Sequence, residues 1–156
     1  MSDNYRLGTG ICIAAVSLLY WTADAFALGA LDEWNTAARD AMPLHIKAWL
    51  GLMMLNNLAA LAFVKNHVAA RWVFVGFFVS HMAVMVMWWQ DITVLAGQVS
   101  LFHIIFWTPG AIAILATRRE MRWPSAYGVW ASLVLLFYVG SMLVDIGHAL
   151  TFLQNL

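Results

Sequence analysis

Cysteine is almost missing from this chain: Cys12 stands alone, so no internal disulfide and no thiolate metal cluster can be built from it. Charge is nearly as scarce. Only 10% of the 156 residues are charged, 8 Lys+Arg balance 8 Asp+Glu, and there is no long basic run. Binding nucleic acid calls for a concentrated cationic face, so this composition argues against such a partner. Missing too are a phosphate-binding glycine loop, a Cys-x-x-Cys pair, a Gly-x-Ser-x-Gly elbow and a His-Glu-x-x-His helix. Hydrolases and nucleotide-driven pumps are left without their machinery, and the balance leans away from an enzyme. No internal repeat or low-complexity tract is visible.

What the chain has instead is hydrocarbon. Apolar residues make up 63% of it, where a soluble domain carries about half, alongside about a quarter charged. That excess predicts a bilayer as solvent. A helix crosses hydrocarbon with about 20 apolar residues, and five such stretches occur, near 7–31, 44–64, 70–89, 97–117 and 123–153. The expected fold is a single all-α membrane domain of five antiparallel, up-and-down transmembrane helices. Pro43 and Pro124 fall at helix starts, where a missing N–H is harmless. The break at 32–43 is expected to hold a short surface helix with Trp34 and Met42 dipping into the membrane.

Basic residues orient the bundle, because cytoplasmic loops hold the Lys/Arg excess. With the N-terminus inside, Arg6, Lys65, Arg71, Arg118, Arg119 and Arg122 fall on the cytoplasmic side, and Arg39 and Lys47 outside. The C-terminus is then expected outside, with the chain in the cell membrane, the inner one if bacterial. A competing reading makes Ala25-Phe26-Ala27 the cleavage site of a signal peptide; continuation of apolar sequence to Leu31 favours a full span.

Ionisable side chains inside a bilayer cost a few kcal/mol or more, so they turn toward a partner or a wet interior. Helical spacing lets one face of each span gather its polar residues: Ser17, Trp21 and Asp24; His45, Trp49 and Asn56; His81, Met85 and Trp88; Ser100, His103 and Trp107; Ser141, Asp145 and His148. At about 1.5 Å per residue, Asp24, His81, His103, Asp145 and His148 all lie in the outer half. They are expected to line a cavity open to the outside, with His45 at the rim, Asn56 below as a floor and Trp107 as a wall. Asp145 and His148, at i and i+3, share a helix face, and a carboxylate beside an imidazole fixes its tautomer and raises its basicity.

Three classes of function fit. The first is a small protein that binds or moves protons, a small cation or another ligand through that Asp/His cavity, with a homo-oligomer expected for transport. The second is a membrane redox subunit, with His81 and His103 holding haem b or bordering a quinone site between the third and fourth spans. The third is a non-catalytic subunit or assembly factor of a membrane complex, its polar residues tying helices together. A transition metal is a further cofactor candidate, since Met82, Met85 and Met87 beside His81 suit copper(I). Equally, methionine fills irregular apolar gaps. Trp21, Trp34, Trp49, Trp72, Trp88, Trp89 and Trp123 lie near span ends, as an interfacial belt requires. Thr108-Pro109-Gly110 is expected to kink or open the fourth span, and small residues four apart at Gly76 and Ser80 permit close helix approach.

Overall fold

The computed structural model describes residues 28–156. Most of the first expected span, with Asp24, lies outside the described residues. Helix α1 (Thr36–Ala41) is followed by α2 (Leu44–Leu58), a 3-10 turn at Ala59–Ala62, α3 (Val68–Trp89), α4 (Ala96–Ala116), a second 3-10 turn at Arg118–Glu120, and α5 (Ala126–Gln154). Among the described residues there is no strand, only an isolated bridge between Glu33 and Leu95.

Three helices, α3, α4 and α5, are long and apolar enough to cross a membrane. Their 22, 21 and 29 residues correspond to roughly 33, 32 and 44 Å, against a hydrocarbon core of about 30 Å. Apolar side chains cover their outward faces as well, with Trp72, Phe78, Met85, Ile105, Ile112, Leu143 and Ile146 all exposed. Helices apolar on every side are built for lipid or a large core. The stretch expected at 44–64 is divided: α2 has 15 residues, about 22 Å, before the backbone tightens into the 3-10 turn.

Glycine sets the spacing of α3 and α4. A Cβ on Gly76 would collide with the Phe106 carbonyl, and one on Gly110 would press on the Val73 backbone. Both glycines therefore bring two backbones into direct contact, and the pairs 76/106 and 73/110 run antiparallel. Pairs His103/Asp145 and Trp107/Tyr138 show the same sense for α4 and α5. Pro109 does not break α4, which runs continuously from Ala96 to Ala116. The Thr108 hydroxyl donates to the Ile104 carbonyl there.

Helix α2 leans on α5. Trp49 meets Phe137 edge to face at 4.7 Å, the Trp130 indole donates to the Asn56 carbonyl at 2.9 Å, and the Tyr138 hydroxyl donates to Asn57 Oδ1 at 2.7 Å. Against α3 the contact of α2 is sparse. Short helix α1 is capped by Asn35, whose Oδ1 accepts from the Ala38 N–H. The segment before it docks on the start of α4 through Trp34 N–H to Val94 O at 2.8 Å and Gly97 N–H to Ala30 O at 2.8 Å. Met42 is buried, and Trp34 packs with Val84, Val94 and Val99. A small lid thus closes one end of the bundle; the other end carries Lys65, Arg71, Arg118, Arg119 and Arg122.

Candidate functional site

Loose packing between α2 and α3 leaves a cavity of about 540 Å³ under α1. Its walls are mostly apolar: Met42, Met53, Met54, Met85, Phe77, Val84, Trp34 and Trp88 contribute. Ser80, His81, His103, Trp107 and Asn57 supply the polar wall, and Arg39, Asp40 and Lys47 stand at the α1 end. The Arg39 guanidinium lies 5.2 Å from the Trp88 ring centre, a cation–π contact that holds α1 over α3.

Both imidazoles are fixed through the same nitrogen. His103 Nδ1 is 3.2 Å from Asp145 Oδ2, an oxygen that also accepts from the Ser141 hydroxyl at 2.7 Å. His81 Nδ1 is 2.8 Å from the Phe77 carbonyl, one turn back on α3. Carboxylates and carbonyls only accept, so each Nδ1 carries a proton, and a ring in its neutral form keeps a lone pair on Nε2. No described residue bonds either Nε2. Ring stacking adds to the hold: His103 lies on Trp107 at 3.9 Å, and Trp107 on Tyr138 at 4.9 Å.

Beneath the imidazoles the bundle is solid. The Trp107 indole donates to Ser80 Oγ at 3.0 Å, and Ser80 in turn donates to the Phe77 carbonyl at 2.9 Å. Asn57 accepts from Tyr138 and donates to the Met53 carbonyl at 2.9 Å. Trp107, Tyr138, Asn57 and Ser80 are each at most 2% exposed. Every polar atom so used is paired, as an apolar interior demands, and together these side chains plug the way toward the basic end.

The structure brings His81, His103 and Trp107 to one cavity wall, with Asp145 directly behind His103. Asp145, 7% exposed, does not itself line the cavity. His148, three residues further along α5, is half-buried with its carbonyl against Gly97. His45 is exposed at the start of α2. Asn56 is not in the cavity: its carbonyl holds Trp130, and the buried face of α2 runs through Ile46, Met53 and Asn57. Asn57 takes the floor position because its amide can pair with Tyr138, a choice between neighbouring asparagines that spacing alone could not make. Asp24 lies outside the described residues.

Two further features escaped the reading of the sequence. Ser80 shares the site as the acceptor for Trp107, and His67 sits far away at the basic end. There His67 Nδ1 is 2.7 Å from Glu120 Oε2, and its ring stacks on Tyr127 at 3.5 Å and 6°. His67 lies in a loop and Glu120 in a 3-10 turn, so no helical period joins them.

For cofactors the geometry is selective. Among the described residues no group of three or more His, Cys, Asp or Glu side chains converges as a metal site. A haem sandwiched between His81 and His103 would need α3 and α4 held apart, but the Ser80–Trp107 bond and the Gly76 contact clamp them together within a turn or two of both rings. Searches against protein-family models, curated proteins and solved structures find no match for the chain.

Proposed function

We propose that this chain is a multi-pass membrane protein that binds a small ligand in the cavity between α2, α3 and α4 and exchanges a proton with it through the His103–Asp145 pair. The observation that carries this reading is a buried carboxylate, Asp145, on a helix long and apolar enough to cross a membrane, bonded at 3.2 Å to an imidazole on the cavity wall. A carboxylate behind an imidazole fixes its tautomer and its orientation, leaving Nε2 to meet the ligand. The plug of Trp107, Tyr138 and Asn57 favours binding over conduction, so no oligomer is required to complete a pathway. The lid end faces outward if the basic end is cytoplasmic, which makes the cell membrane the natural location, with five spans if the N-terminal segment and α2 both cross.

Chemical modification tests this. Diethylpyrocarbonate attacks an unprotonated imidazole nitrogen. In protein held in lipid nanodiscs, mass spectrometry should find His103 modified, and Asp145→Asn should slow that reaction severalfold while leaving exposed His45 unaffected. A His103 that never reacts, or that reacts equally fast in Asp145→Asn, contradicts the proposal.

A further inference from the structure

The cavity also specifies what kind of ligand it suits, and the inference rests on the binding role just proposed. We infer that the ligand is a lipophilic ring bearing hydroxyl donors, of the hydroquinone class, bound in its reduced form with its hydroxyls donating to Nε2 of His81 and His103.

The polar wall sets the sign of the hydrogen bonds. Each Nδ1–H is committed to an acceptor, the Phe77 carbonyl or the Asp145 carboxylate, so what the two rings hold out in their neutral form is a pair of lone pairs. A hydroxyl answers a lone pair. A quinone carbonyl does not, since two acceptors facing each other in an apolar site leave both unsatisfied, at a cost of roughly 1–3 kcal/mol per group. The same wall rejects a hydrated cation: Asp145 is set behind His103 and off the cavity surface, and two cationic side chains, Arg39 and Lys47, stand at the rim against one acid, Asp40.

The remaining walls set shape and polarity. Thioethers and aromatic rings, with Met53, Met85, Phe77 and Trp88 among them, suit a flat, polarizable ring. A volume of about 540 Å³ accommodates one such ring with the start of a tail. The approach is lateral. Met54 and Met85 line the cavity yet are 46% and 58% exposed, on the sparsely packed seam between α2 and α3. In a bilayer that seam opens to acyl chains, from which a lipophilic ligand arrives already dissolved.

Calorimetric titration of nanodisc-held protein, with empty nanodiscs as background, tests this using decylhydroquinone under reductant, decylquinone and decylbenzene. The expected result is hydroquinone binding at least tenfold tighter than quinone, decylbenzene weaker still, and a loss of at least tenfold for hydroquinone in both His81→Ala and His103→Ala. His45→Ala, at an exposed histidine outside the cavity, should retain affinity and shows that the loss is specific to the two cavity imidazoles. Equal binding of quinone and hydroquinone, or hydroquinone binding indifferent to both histidine variants, overturns the inference. So does an absence of hydroquinone binding; if His103 still reacts with diethylpyrocarbonate in an Asp145-dependent way, the proton-exchanging site stands and only this ligand class falls.

Discussion

Trp107 and Ser80 form the smallest unit on which the site depends. Their hydrogen bond crosses α3 and α4 at 3.0 Å in a fully buried setting. Interhelical bonds of this kind in membrane proteins couple by about 0.6 kcal/mol on average and up to about 1.7, and a double-mutant cycle of Ser80→Ala with Trp107→Phe should fall in that range in a reversible denaturation assay. Zero coupling would mean that the two helices are held by packing alone. Tyr138→Phe is expected to cost more, about 1–3 kcal/mol by the same assay, because it strands the buried Asn57 oxygen. Residue-level detail was only half legible beforehand. His81, His103 and Trp107 could be marked as candidates because polar groups stand out in an apolar run. The choice of Asn57 over Asn56 could not, since it depends on which asparagine finds a tertiary partner, and His67 with Glu120 was hidden by 53 residues of separation.

At the scale of elements, hydropathy located α3, α4 and α5 to within about three residues, because a long apolar run has few alternatives to a helix. It missed the shortening of α2, where the change from α to 3-10 geometry at Ala59 leaves no mark in composition. At Pro109 the helix does not open, since α4 runs on through it. What holds α3 to α4 is small side chains, and this makes a sharp contrast. Gly76→Val should lower the unfolding midpoint strongly, since the new Cβ meets the Phe106 carbonyl with no flexible atom to give way. Gly147→Ala, which has nothing within 4 Å of the added carbon, should change stability by no more than about 0.5 kcal/mol. Equal effects in the two variants would remove backbone contact as the reason for the α3–α4 spacing.

Across the described residues, three apolar helices packed in series leave a fourth, α2, leaning on α5 and standing off from α3, and the cavity is the consequence of that gap. The plug below it predicts that proteoliposomes loaded with a pH-sensitive dye show no proton leak above protein-free vesicles; a leak abolished by Asp145→Asn would replace binding with conduction. The most direct test of the account is the protonation pattern of the two cavity imidazoles. Solid-state NMR of protein carrying ¹⁵N-labelled histidine rings, in bilayers at about pH 8 where an ordinary imidazole is neutral, should show His81 and His103 both protonated at Nδ1 and bare at Nε2. Asp145→Asn should move the His103 signals and leave those of His81 in place. Protonation at Nε2 in either ring, or a His103 spectrum unmoved by loss of the carboxylate, would contradict it.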